Sequence, residues 1–163
     1  MPLEVLELDP KKHDRARFGC GDADRDNYLK RFASQHQKHG VSKTFVLIDS
    51  DRPREILGFY CVSAAQADIN ELAGSDRRGL PRRPVPAMRV GQLAVAREYQ
   101  RQGYGALLLG NAVKRALTVR NHSMGIRLVI VDAASEKAAE FYRKYGFKDC
   151  SETTQMLYLS LGR

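Results

Sequence analysis

The stretch Leu93-Ala94-Val95-Ala96-Arg97-Glu98-Tyr99-Gln100-Arg101-Gln102-Gly103-Tyr104-Gly105-Ala106 decides how this 163-residue chain is read. Apolar residues lead into it from Met88 and stop at Val95, the pattern of a buried strand. Beyond it, Leu108, Leu109, Ala112, Val113, Ala116 and Leu117 recur at helical spacing, so a helix is expected from about Tyr104 to Val119. Two glycines therefore stand at the mouth of a helix. Glycine lets a backbone approach a ligand closely. A helix N-terminus offers unpaired N–H groups and a partial positive charge, which suit a phosphate or pyrophosphate. Arg101 adds a fixed cation. The same glycines would equally serve a plain strand-to-helix turn with no ligand. Two other phosphate loops fail the test. A Walker loop needs Gly-Lys-Ser or Gly-Lys-Thr, and none is present. A dinucleotide fingerprint needs a third glycine and a later acid for the ribose; here Leu108 holds the glycine position, and no Asp or Glu lies between Glu98 and Asp132.

Working outward, Leu3 to Leu8 alternates apolar and acidic residues, as a strand does. Phe18-Gly19-Cys20-Gly21 marks a turn, after which Asp22 or Asp24 can cap a helix running to about Lys38. Its expected apolar face is Leu29, Phe32, Ala33 and His36. Thr44 to Ile48 and Ile56 to Ala65 read as a hairpin around Asp49-Ser50-Asp51-Arg52-Pro53. Gly74 to Pro86 reads as an extended, arginine-rich loop. Arg127 to Val131 is a short buried strand, and Ser135 to Tyr145 a helix capped by Ser135 and stopped by Gly146. Phe147 and Met156 to Leu161 suggest closing strands. The order predicts a mixed α/β (α+β) chain with a βαβ-type middle, in a single domain over residues 1–163.

Hydrophobic residues make up 43% of the chain and charged residues 28%, a globular composition. No apolar run approaches the roughly 18 residues that a spanning helix needs. The first residues are acidic where a secretory signal would be basic and then apolar. Cys20, Cys61 and Cys150 are odd in number and far apart, which fits a reducing cytoplasm better than a disulfide framework. His36 and His39 lack a further ligand at metal spacing, so no metal is expected. The net charge of +8 suits a polyanionic partner (nucleic acid, an anionic cofactor or an acidic protein) and equally a generally basic surface with no nucleic-acid role.

Gln100-Arg101-Gln102-Gly103-Tyr104-Gly105 resembles the Q/R-x-x-G-x-G/A motif of GNAT N-acetyltransferases, which holds the pyrophosphate of acetyl-CoA. Ala138-Ala139-Glu140-Phe141-Tyr142-Arg143-Lys144-Tyr145-Gly146-Phe147 resembles that family's A-x-x-F-Y-x-x-x-G-F segment. Phe18-x-Cys20-Gly21, Asn27-Tyr28-Leu29, Gln35-His36-Gln37-Lys38 and Pro84-Val85-Pro86-Ala87 leading into Gly91-Gln92-Leu93-Ala94-Val95 are similar to toxin-type members. The likeness runs from about residue 14 to 160. It implies a central, mostly antiparallel twisted sheet with a βαβ acetyl-CoA-binding core flanked by helices. It also implies acetyl transfer to the α-amino group of aminoacyl-tRNA, a ribbon-helix-helix antitoxin, and commonly a homodimer. Two positions depart from the pattern. Ala96 stands where many relatives carry Asp, and Ser135 where many carry Asn or Asp.

The resemblance assigns the pantetheine arm to Leu93, Ala94 and Val95, and the pyrophosphate to Gln100, Arg101, Gln102, Gly103, Tyr104, Gly105 and Ala106. Ser135 could reach the cofactor from its cap position. Tyr142 matches the general acid that protonates departing CoA, and phenol has the donor such a role requires. No clear general base appears, although Glu98, Asp132 or a water could serve. An α-amino group, with a pKa of about 7.7–8.0, needs less help than a lysine at about 10.4. Arg77, Arg78, Arg82, Arg83 and Arg89 precede the cofactor strand, and Lys11, Lys12, Arg15 and Arg17 lie near the N-terminus. On one face they would grip an RNA backbone by phosphate contact and shape. Two competing readings are a GNAT enzyme acting on a small amine, peptide or protein, and an idle GNAT-like fold that binds RNA or a partner protein.

Overall fold

The computed structural model describes residues 2–150 and 155–162. In chain order the elements are β1 (Leu3–Glu7), α1 (Ala23–Asn27), α2 (Ala33–Lys38), β2 (Lys43–Asp49), β3 (Gly58–Ala67), α3 (Gly74–Arg77), β4 (Val85–Val95), α4 (Tyr104–His122), β5 (Leu128–Asp132), α5 (Glu136–Lys144), β6 (Lys148–Asp149) and β7 (Met156–Ser160). Short 3-10 turns at Ile69–Glu71 and Arg97–Tyr99 and a π-helical turn at Tyr28–Phe32 complete the order. The strands form one seven-stranded sheet, β1-β2-β3-β4-β5-β7-β6. β1–β2, β2–β3, β5–β7 and β6–β7 are antiparallel, and β4–β5 is parallel. This is the mixed α/β, mostly antiparallel architecture expected from the sequence.

Backbone contacts divide the chain into two compact units: Met1–Ser63 with Gly91–Ala112, and Ala64–Val90 with Val113–Arg163. β3, β4 and α4 each contribute residues to both. The first unit has a core of Leu8, Phe18, Leu29, Val46, Ile48 and Phe59, with Phe18 and Phe59 packed edge to face at 5.4 Å. Asp22 caps α1 by accepting the N–H groups of Asp24 and Arg25. The π-helical turn then shifts the helical phase. Leu29 and Ala33 are buried as expected, but Phe32 is 41% exposed and His36 is only half-buried. A wider turn spaces its buried positions differently from the 3.6-residue period assumed in the sequence reading.

In the second unit Leu72, Val85, Ala87, Leu128, Ile130 and Tyr158 form the core. The segment read as a loop from Gly74 to Pro86 contains α3, and β4 begins earlier than expected, at Val85. Pro86 sits within that strand because its carbonyl still accepts the Arg127 N–H at 2.9 Å. Ser135 caps α5 by accepting the Ala138 N–H at 3.1 Å, and Gly146 follows the helix at φ +94°. α4 runs three residues past Val119 to His122. Leu108, Leu109, Ala112 and Ala116 are buried, whereas Leu117, expected on the same stripe, is 38% exposed. No helix among the described residues is long and apolar enough to cross a membrane.

Candidate active site

β4 changes edge along its length. The Pro86 carbonyl faces β5, where it accepts from Arg127. Strict alternation would turn every second residue, through Ala94, the same way. Instead the Ala94 carbonyl faces β3, 2.9 Å from where a Cβ on Gly58 would sit, and the Ala96 N–H donates to the Leu57 carbonyl at 2.8 Å. One extra residue must lie between. Gly91 lies against buried Cys61 on β3, where an added Cβ would meet the Cys61 sulfur at 3.2 Å. One residue inserted between two paired strands is a β-bulge, and a glycine within a strand is its usual mark. From the bulge onward Ala94 and Ala96 face β3, so Leu93 and Val95 turn their N–H and C=O groups to the opposite edge. The β4–β5 register ends at Val90–Val131, and Gly91–Val95 continue past it. Past the last β5 pair, the Leu93 N–H and C=O and the Val95 N–H are directed to a strand edge that an amide-bearing pantetheine chain can line.

Close packing holds that strand in place. A Cβ on Gly58 would lie 2.9 Å from both the Ala94 oxygen and Leu108 Cδ1. The backbone oxygen cannot move aside without shifting β4. Gly58→Ala is therefore expected to cost about 1–3 kcal/mol through overpacking. The measurement is the urea midpoint at constant m-value, and an unchanged midpoint would contradict the packing argument.

The loop after β4 is shaped by two left-handed residues, Arg101 at φ +66° and Gly103 at φ +85°. For arginine that conformation costs roughly 1–2 kcal/mol, and strain of this kind collects at binding sites. The Gly103 carbonyl accepts the Leu107 N–H at 3.1 Å, which makes Gly103 the cap of α4. The N–H groups of Tyr104, Gly105 and Ala106 have no acceptor inside the helix. These amides, with exposed Arg101 and Gln102 beside them, suit a diphosphate.

Two predicted cofactor residues serve as braces. The Gln100 side-chain amide donates to the carbonyls of Cys20 (2.8 Å) and Val95 (2.9 Å), and Ala94 is buried with its carbonyl toward β3. The Phe18-x-Cys20-Gly21 motif belongs to the same scaffold. The Gly19 carbonyl accepts the Arg97 N–H at 2.8 Å, and the Cys20 N–H donates to Asp26 at 2.9 Å. Burial, then the hydrogen bond with Asp26, pushes the Cys20 thiol up to about 11, so it is no nucleophile at neutral pH. Tyr99 donates to the Glu55 carboxylate at 3.1 Å and stacks against Tyr104, ring centroids 6.4 Å apart.

In the second unit Tyr142 lies on α5, 4% exposed, against Phe141 and Phe147 at centroid distances of 5.3 and 5.6 Å. Ser135 is the cap of the same helix, so its oxygen already accepts one hydrogen bond. Arg77, Arg78, Arg82 and Arg83 are exposed, and no ion pair is recorded for them among the described residues. Arg77, Arg82 and Arg83 line an open groove of about 830 Å³ with Gln66, Asn70 and Pro84. Arg89 does not join them. It is half-buried on β4 and paired with Asp132 on β5. That ion pair engages both the fifth arginine expected on the RNA face and one of the candidate bases. Missing from the sequence reading were the bulge, for which Gly91 inside a strand was the available signal, and the Arg89–Asp132 pair.

A profile of the acetyltransferase (GNAT) domain matches residues 40–149. A "tRNA-acetylating toxin" of Mycobacterium tuberculosis is 31% identical over 147 residues, covering 90% of this chain and 83% of the relative. A "Probable toxin TacT" of Sinorhizobium fredii is 27% identical over 167 residues, covering 96% and 90%. Among solved structures, AtaT complexed with acetyl-methionyl-tRNAfMet matches with a TM-score of 0.90 at 25% identity, covering 98% of this chain and 95% of that one. AtaTR bound with AcCoA matches with a TM-score of 0.82 at 25% identity, covering 97% and 92%.

Proposed function

Because the chain belongs to the GNAT acetyltransferase family, we propose that it uses acetyl-CoA to acetylate the α-amino group of aminoacyl-tRNA, as a toxin that blocks translation. β3, β4 and α4 run through both compact units, which supports reading them as one N-acetyltransferase domain. The observation that carries the cofactor assignment is the pairing of the bulged strand edge with the amide-lined mouth of α4. Leu93 and Val95 take the pantetheine amides. Gln102 to Ala106 take the pyrophosphate, with Arg101 beside it. The substrate amine attacks the thioester carbonyl; an N–C bond forms and the C–S bond breaks. Tyr142 gives its proton to the departing sulfur and is reprotonated from solvent. The amine's own proton leaves to water, because an α-amino group is substantially neutral near pH 8. Ser135 lies at the start of the helix that carries Tyr142 and offers a hydroxyl proton to the cofactor.

Aminoacyl-tRNA is favoured over other amines by the exposed arginines and by the tRNA substrates named for the Mycobacterium relative and for AtaT. A toxin of this kind implies a cognate antitoxin, with the ribbon-helix-helix type expected, and the cytoplasm as its place of action. Incubation with labelled acetyl-CoA and total aminoacyl-tRNA tests the substrate. Label is expected in the RNA fraction and is released by mild base as an N-acetyl amino acid. Label appearing only on added small amines or peptides would overturn the tRNA assignment and favour an ordinary GNAT substrate.

A further inference from the structure

Tyr158 and Asp76 make a set of bonds that the acetyl transfer does not use. Tyr158, on β7, is 1% exposed within the core of the second unit. Its hydroxyl accepts the Ala73 N–H at 2.8 Å and donates to Asp76 Oδ2 at 2.7 Å. Lys148 Nζ, from β6, donates to the same oxygen at 2.8 Å. Ala73 immediately precedes α3, and its carbonyl accepts the N–H groups of Asp76 (2.9 Å) and Arg77 (3.2 Å). One phenol therefore holds both the residue before the single helical turn and the residue next to Arg77 within it, and that turn leads into Arg78. A helix of four residues has no stability of its own. A buried hydroxyl is also an unfavourable choice for a core position unless its bonds are needed, since phenylalanine would fill nearly the same space without them.

We propose that Tyr158 and Asp76, together with Lys148, are positioning residues that fix Arg77 and Arg78 in the orientation that meets RNA phosphates. This rests on the reading that the arginine face contacts tRNA. Arginines on a loose loop would have to be ordered on every binding event, and pre-ordering removes that cost. The charge states suit the role. Hydrogen bonds from Lys148 and then Tyr158 hold the Asp76 carboxyl below the usual carboxylate range, so it is ionised at neutral pH. Burial pushes the Tyr158 hydroxyl up to about 12, so it remains a donor.

The test is steady-state acetylation of aminoacyl-tRNA by Tyr158→Phe and Asp76→Asn. KM for tRNA is expected to rise about tenfold, while kcat at saturating tRNA and KM for acetyl-CoA stay within about twofold of the parent. A second measurement separates positioning from general weakening. In a protein already carrying Arg77→Ala and Arg78→Ala, Tyr158→Phe should raise KM no further, because residues acting through one another are not additive. Lys148→Gln, on the exposed edge strand, probes the same carboxylate with the core intact and should raise KM in the same direction. A full extra rise in the arginine-free protein would overturn the proposal. So would a parental KM in both Tyr158→Phe and Asp76→Asn while the arginine substitutions raise it. If the arginine substitutions themselves leave KM unchanged, the RNA reading fails and takes this inference with it.

Discussion

Tyr142→Phe is expected to lower turnover by about 10²- to 10⁴-fold, the usual worth of a positioned general acid, while acetyl-CoA binds as before. The substitution removes one oxygen and keeps the ring. The ring packs against Phe141 and Phe147, and these contacts survive. The cofactor contacts assigned to Leu93, Val95 and the start of α4 lie on other elements, so the cofactor Kd should hold. A loss confined to kcat is the mark of an interaction made in the transition state. The deficit should also depend on pH in a particular sense. A phenol has a pKa of about 10, so above that value it is ionised and has no proton to give the departing sulfur. The ratio of parent to variant turnover should therefore shrink as pH rises through that range. Calorimetric binding and a pH–rate series measure both. A variant within about threefold of the parent at neutral pH would place the acid elsewhere.

What could be read from the sequence followed the range over which its signals act. Glycine spacing at Gly103 and Gly105, the stripe Leu108–Ala112–Ala116 and the Ser135 cap are local, and local patterns fix local structure. The glycine turn after β4 and its flanking elements could be read for that reason. The bulge at Gly91 is a matter of backbone phase, and one extra residue leaves the composition of a strand unchanged. The π-helical turn that leaves Phe32 exposed is the same kind of event in a helix. Pairings between distant residues left no trace at all. Arg89 meets Asp132 and Tyr158 meets Asp76 across 43 and 82 positions. Five arginines near one another in sequence thus looked equivalent, although one of them is held by a carboxylate on the neighbouring strand. The resemblance named Gln100 and Ala94 without saying how they act. In the structure Gln100 ties the loop after β4 to Cys20 and Val95, and Ala94 packs β4 against β3, which residue type alone does not reveal.

Replacing Arg77, Arg78, Arg82 and Arg83 together by alanine should produce the largest change in tRNA affinity. Each phosphate contact releases counterions, so the slope of log K against log salt falls by up to about 0.9 per contact removed. Four contacts correspond to roughly a hundredfold difference in how much affinity is lost between 50 and 200 mM salt. The variant should bind tRNA weakly at low salt and respond little to further salt, while its acetyl-CoA affinity and its rate on a small α-amine stay near the parent's. All four side chains are exposed, so their removal should barely touch the fold. Bulk charge could mimic the effect, since the chain carries a net +8. A control with the exposed cations Lys30, Arg31, Lys38 and Lys144 replaced instead removes the same charge from elsewhere. If the control flattens the salt dependence as much, the groove has no special claim on RNA. If only the arginine set does, the groove beside Gln66 and Asn70 is where the phosphates lie.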